Sequence, residues 1–288
     1  MFLQQFINGI TQGSLFALIA ISFSMVWGLL KMVNFALGEI YMFSAFVGWL
    51  VVVYVTPNIL LALAVSLVTG WILGYIIEKA AFNTLRGAPH IASLICTLGF
   101  SVFLKELASV VFGSETKAMP NFFHQIAFRI GESSISWLQV VMVFVAVFIM
   151  VGLQVFFYKT RIGLGIRAVS QDHHAAGLMG INVDRVISIA FSLAGSIAGV
   201  VGVLSATYYN AVKPTMGFLP GFKGFTAAVF GGITSIPGAI LGGYLLGVIE
   251  NLGVQYVASG YRDLIAYTIL ILFLLFRPSG ILGKKSKL

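Results

Sequence analysis

Glu39 and Glu250 are the side chains of this chain best placed to do chemistry, because each is a carboxylate set into a long apolar run. A carboxylate in apolar surroundings is costly, and it is kept there to pair with a cation, to act as a gate partner, or to hold the ammonium group of a passing solute. Glu39 ends the stretch Asn34-Phe-Ala-Leu-Gly-Glu39, about one turn into its run. There the helix dipole alone would also stabilise it. Glu250 closes a Gly-rich block and carries the same two readings. Lys105 and Glu106 fall near the end of another run, where their stems can snorkel to the outer interface.

Enzymatic chemistry has no footing. Gly280-Ile-Leu-Gly-Lys284 lacks the spacing of the phosphate-cradling GxxxxGK[ST] loop, so the chain is not expected to bind ATP itself. No GxSxG, HExxH or paired-carboxylate pattern occurs. The four histidines, at 90, 124, 173 and 174, fall in loops. His173 and His174 are adjacent, so on a helix they point about 100° apart and make a poor metal pair. The single cysteine, Cys96, gives neither a disulfide framework nor a CxxC metal pair. No cofactor and no metal are expected on this chain.

The elements that must position Glu39 and Glu250 are membrane helices. The 288 residues are 59% hydrophobic and 9% charged, where a soluble domain carries about 25% charged residues. Mean hydropathy is +1.01. The net charge of +8 reads as a topology signal and a weak attraction to anionic lipid, not a nucleic-acid footprint. The N-terminus has neither the basic region nor the cleavage site of a secretory signal, so the first span is expected to be retained. Apolar runs long enough to cross a bilayer fall near residues 5–29, 35–55, 59–77, 91–112, 136–158, 186–208, 223–250 and 263–277. The expected fold is an all-α polytopic membrane protein of about eight hydrophobic segments, a single transmembrane domain over residues 1–288. Asn34 is a candidate cap for the second run, and Gly70 with Gly74 forms a GxxxG pair that would let helices approach closely.

Basic residues orient the spans. Lys31, the Lys79/Arg86 loop, residues 159–185 and the Lys284/Lys285/Lys287 tail belong in the cytoplasm by the positive-inside rule. An even number of crossings must then separate Arg185 from the tail, yet three apolar blocks lie between. The middle block is broken by Gly231-Gly232 and Pro237-Gly238. A re-entrant pair of half-helices there restores the parity. The other reading is one kinked span with the tail outside. Half-helix ends at membrane depth would make Gly231, Gly232, Pro237 and Gly238 pathway residues, together with Asn34, Glu39 and Glu250. Close helix packing through the same glycines is the plainer account.

Residues 159–185 form the longest polar interruption, and 170–180 read as a short helix outside the bilayer. Ser170 is expected as its N-cap, Asp172 complements its first turn, and Gly180 stops it. Ala175, Leu178 and Met179 fall at i, i+3 and i+4, one apolar stripe. So short a helix needs a partner surface. That surface is either a groove on another subunit or the lipid headgroups.

The segment His174-Ala-Ala-Gly-Leu-Met-Gly180 resembles the signature of ABC-importer permeases that meets the ATPase. Arg167 to Arg185, Val33 to Met42, Ala227 to Gly232 and Arg277 to Gly283 are similar to the LivH-type permeases of branched-chain amino acid transporters, in order and over nearly the whole length. Two positions depart from that pattern: His174 replaces a usual Glu, and Leu37 a frequent His. The resemblance implies a permease subunit of the cytoplasmic membrane that moves branched-chain or related amino acids inward. It also implies a second homologous permease, two ATP-binding ATPase subunits and an extracytoplasmic solute-binding protein as partners. ATP would then sit on the ATPase, and Ser170, Asp172, His174, Ala175, Ala176, Leu178, Met179 and Gly180 would form the helix that docks to it. The alternative from the residues alone is an ion-coupled transporter or channel for a small polar solute such as urea or an amide.

Overall fold

The computed structural model describes residues 2–85, 90–120, 122, 126–131, 133–256, 260, 262–277 and 279–283. Arg86, His124 and the Lys284/Lys285/Lys287 tail, which figured in the reading of topology and histidines, lie outside the described residues. Eleven helices are found among the described residues: α1 (Phe2–Leu30), α2 (Leu37–Leu50), α3 (Ile59–Ile77), α4 (His90–Phe112), α5 (Trp137–Lys159), α6 (Arg161–Gln171), α7 (His173–Leu178), α8 (Val183–Tyr209), α9 (Phe218–Gly231), α10 (Ile236–Tyr256) and α11 (Arg262–Phe276). Wider turns at Val51–Val55 and Glu78–Phe82 extend α2 and α3. Among the described residues, seven helices are long and apolar enough to cross a membrane: α1, extended α2, extended α3, α4, α5, α8 and α10. The all-α polytopic class follows directly.

The chain divides into two compact units. The first unit holds residues 1–24, 121–148 and 222–288, and the second holds 25–120 and 149–221. In the second unit, α8 is the central helix and is 89% buried over its most apolar window. Its 27 residues reach about 40 Å. Glycines let α3 press onto it. A Cβ on Gly70 would strike the Gly195 carbonyl, one on Gly74 would strike that of Phe191, and one on Gly199 would strike that of Ser66. Contact positions rise along α3 while they fall along α8, so the two helices run antiparallel. The Gly70/Gly74 pair thus permits the backbone approach its spacing suggested.

In the first unit α1 lies antiparallel to α10, with Gly9 against Val248 and Gly13 against Tyr244. The broken block resolves into α9 and α10, again antiparallel, with Gly231 against Gly238 and Gly242 against the Ala227 carbonyl. The break is a single turn at 232–235, where Gly232 has φ +109°. Such a turn exposes backbone groups that must be satisfied within the protein. The segment after α11 does this: Ile281 and Leu282 donate to the carbonyls of Phe230 and Gly231 at 3.0 and 2.9 Å. Ser24 Oγ of α1 donates to the Ile233 carbonyl at 2.7 Å.

This corrects one detail of the sequence reading. Pro237-Gly238 does not break the block; Pro237 sits in the first turn of α10, where its missing N–H costs nothing. The turn stands beside residues that follow α11, and α10 at 21 residues is long enough to span alone. Only α9 is short. Its 14 residues reach about 21 Å, less than the ~30 Å hydrocarbon core.

The loop between α4 and α5 contributes three strands that apolar periodicity did not suggest. Ile126–Ile130 (β2) pairs antiparallel with Ser133–Ser136 (β3) in the first unit. Lys117–Ala118 (β1) pairs with Ala211–Val212 (β4) in the second.

Candidate functional site

The polar stretch 159–185 folds as two helices, not one. Thr160 Oγ1 accepts the Gly163 N–H at 3.0 Å and caps α6. Gly163 lies so close to Phe156 and Phe157 that a Cβ would meet their backbone, which turns α6 sharply off the end of α5. Ser170 is therefore inside α6, and its hydroxyl donates back to the Arg167 carbonyl at 2.8 Å. It is not the cap that the sequence suggested. Asp172 is: its Oδ1 accepts the N–H groups of His174 and Ala175 at 2.8 and 2.9 Å. Those two bonds hold the Asp172 carboxyl below its ordinary range.

The far end of α7 closes with Gly180 at φ +81°. Gly180 N–H reaches the Gly177 carbonyl at 3.0 Å, and Ile181 N–H reaches that of Ala176 at 3.1 Å. These paired bonds make the helix stop expected of that glycine. Ala176 is buried, while Ala175 and His174 are exposed. Leu178 and Met179 are 80% and 82% exposed. An additional tether appears: His173 Nε2 lies 2.6 Å from the Leu29 carbonyl at the end of α1. So short a helix is thus fixed at both ends and by one side chain, and it displays two large apolar residues.

Glu250 lies in a polar network of the first unit. Its Oε1 is 2.8 Å from Lys223 Nζ and 2.9 Å from Arg262 Nε, and Lys223 also pairs with Asp263 at 2.7 Å. Arg262 donates to Gln12 and Asn251 at 3.2 and 3.0 Å, and Asn251 donates to Gln12 at 2.8 Å. Helices α1, α9, α10 and α11 each contribute to this network. Sequence reasoning picked out Glu250 but not Lys223, Arg262, Gln12 or Asn251.

Glu39 lies in the second unit, in the first turn of α2. The helix starts after Ala36, and Asn34 sits two residues earlier than a cap would; its Oδ1 accepts the Ala36 N–H at 3.1 Å. Glu39 is 2% exposed. Ser101 of α4 donates to its Oε1 at 3.3 Å, and its Oε2 has no hydrogen-bond partner. Two residues further on, the Tyr41 hydroxyl donates to Ser205 of α8. The structure groups Asn34 with Glu39, and separately Gly231, Gly232, Pro237 and Gly238 with one another at the α9–α10 turn.

The chain matches the family described as the permease component of branched-chain amino acid transport systems, over residues 5–274. It is 40% identical to the high-affinity branched-chain amino acid transport system permease protein BraD of Pseudomonas aeruginosa, covering 98% of this chain and 96% of that protein. Identity to the corresponding LivH protein of Escherichia coli is 38% with the same coverage. A probable LivH permease of Methanocaldococcus jannaschii is 29% identical over 96% of this chain and 91% of its own length. No solved structure matches the chain.

Proposed function

The chain belongs to the family of branched-chain amino acid transport permeases, and from that premise we propose how it is driven and what it assembles with. It is a multi-pass membrane permease, and translocation rather than hydrolysis is its part in the system. In the proposed importer it moves branched-chain or related amino acids inward across the cytoplasmic membrane. An extracytoplasmic binding protein delivers the solute, a second homologous permease completes the pathway, and two ATPase subunits bind and hydrolyse ATP. This chain itself then carries no cofactor.

The observation that carries the reading is α7. A six-residue helix capped at both ends and pinned to Leu29 is built to be rigid. Leu178 and Met179 on its open end are the apolar anchors that a groove on another subunit would take. His174, which stands where the signature of ABC-importer permeases usually has Glu, is then the polar contact that differs. Asn34, Glu39, Glu250 and the glycines of the α9–α10 turn are proposed as pathway residues.

The test is Leu178→Asp combined with Met179→Asp. Both residues are exposed, so the variant inserts normally. Co-purification of the ATPase with the permease falls sharply; unchanged co-purification would refute the docking role of α7.

A further inference from the structure

Among the described residues, Glu39 keeps one buried carboxylate oxygen, Oε2, with no hydrogen-bond partner and no ion pair. A buried carboxylate normally collects donors on both oxygens or a cation on one. Glu39 has a single neutral hydroxyl at 3.3 Å on Oε1 and no partner on Oε2. The nearest basic side chain in sequence to that hydroxyl is Lys105, one turn past Ser101 on α4; its charge acts on Glu39 only through space, while its ammonium lies 3.5 Å from Glu106.

The surroundings say what the free oxygen faces. Ser101 stands midway along the 23-residue α4, so Glu39, in the first turn of α2, lies level with the middle of a helix long enough to cross a membrane. Residues 31–36, which lead into α2, are not helical, yet Val33, Asn34 and Ala36 are buried. Irregular backbone at that depth is tolerated only beside protein or a cavity.

A second irregular segment, 213–217, meets it. A Cβ on Gly38 would lie 2.5 Å from the Gly217 carbonyl, and one on Gly221 would lie 2.9 Å from Gly38 Cα. A Cβ on Gly217 would stand 2.6 Å from Glu39 Oε2 itself. The start of α9 is thus pressed onto the start of α2, with the unpartnered carboxylate oxygen directly beneath the contact. Three glycines make the approach possible, and nothing larger fits.

We infer that Glu39, with Ser101 beside it, is the mid-membrane site for the ammonium group of the transported amino acid, closed in this structure by the glycine contact between Gly38 and the segment Gly217–Gly221. An ammonium has three donors and fits an acceptor pair of carboxylate and hydroxyl. Withdrawal of Gly217–Gly221 from Gly38 opens the site. One hydroxyl and one carboxylate hold the solute weakly enough for release. The inference rests on the importer reading above, and it adds which group of the solute the permease itself recognises.

The experiment uses the complete complex in proteoliposomes, with binding protein outside, ATP inside and radiolabelled leucine as the solute. Glu39→Gln keeps the size and the acceptor for Ser101 and removes only the charge. Leucine uptake falls roughly tenfold to a hundredfold, the span set by losing a charged hydrogen bond, and Glu39→Asp restores part of it. Gly217→Ala, which places a methyl group on Oε2, lowers uptake while the subunits still co-purify. Uptake by Glu39→Gln within twofold of the unsubstituted complex overturns the site. If Glu39→Gln fails to assemble, Gly217→Ala decides: uptake unchanged in that variant overturns the site, and uptake lost with assembly intact supports it. ATP-independent uptake by the unsubstituted complex would sink the importer reading instead. An uncharged amide whose uptake falls as far as that of leucine in the Gln variant would remove the ammonium site and leave that reading intact.

Discussion

Glu250 and Glu39 are both buried carboxylates on membrane helices, 0% and 2% exposed, yet their surroundings differ in kind. Glu250 has two cations within 3 Å of one oxygen, and those cations have further partners in Asp263, Gln12 and Asn251. Its charge is neutralised by the fold. Glu39 has a serine hydroxyl. Each leaves one oxygen without a hydrogen bond, so the distinction is one of charge compensation and not of hydrogen-bond count. A carboxylate that the fold compensates is joining helices. One that no cation touches, with Lys105 acting on it only at longer range, is available to a cation from outside. Pairing among α1, α9, α10 and α11 therefore assigns Glu250 a structural part, and its candidacy for the pathway weakens relative to that of Glu39.

The comparison breaks most visibly through Lys223. Lys223→Met strips a cation from Glu250 and leaves Asp263 with one partner fewer. Breaking a buried pair from one side costs about 3–5 kcal/mol. Thermal unfolding in detergent should show a large drop in midpoint. The double variant Lys223→Met with Glu250→Met recovers most of the loss, because a buried pair replaced by apolar groups is near neutral. A Lys223→Met protein as stable as the parent would mean that Glu250 is not held by its ions, and the contrast with Glu39 would fail.

Glu39→Gln should behave oppositely. It removes no ion pair and keeps the Ser101 bond, so the unfolding free energy changes by about 1 kcal/mol or less. Uptake, not stability, is where its effect is read. A Gln variant destabilised as strongly as Lys223→Met would make Glu39 a structural residue like Glu250.

Why one carboxylate was readable as a candidate and its partners were not follows from distance along the chain. Glu39 and Glu250 are conspicuous because a charge in an apolar run is locally anomalous. Lys223 and Arg262 stand 27 and 12 residues from Glu250, at the ends of blocks where a basic residue looks like a membrane flank. Ser101 and Gly217 are ordinary residues of their own segments, and only helix packing brings them to Glu39. The spans were legible because hydrocarbon thickness fixes their length, and Gly70/Gly74 because small residues at four-residue spacing share a face. Ser170 misled because Ser and Asp are equally good caps. Choosing between them required knowing that α6 continues through Gln171, and α6 is held by Thr160 and by Gly163 packed on α5. Pro237 misled because a proline breaks a helix interior but suits a first turn.

A third carboxylate marks the mild end of the same scale. Asp172 is fully exposed and outside the spans, and its charge is used only to cap α7. Its carboxyl is held below the ordinary Asp range by the N–H groups of Ala175 and His174. A group whose folded pKa is depressed stabilises the folded form above its unfolded value, about 4, and that contribution is lost as pH falls through the folded value. Between pH 5 and 8 the cap is therefore constant, and amide exchange at His174 and Ala175 should show no change in protection beyond the intrinsic rate. Below pH 4 protection at those two amides declines, while amides within α8 keep theirs. Asp172→Asn keeps an acceptor for the same N–H groups, so it should abolish the acid dependence and retain most of the protection. If Asn instead exposes both amides at neutral pH, the charge and not the acceptor holds α7 in place, and even this surface carboxylate would belong with Glu250 among those the fold depends on.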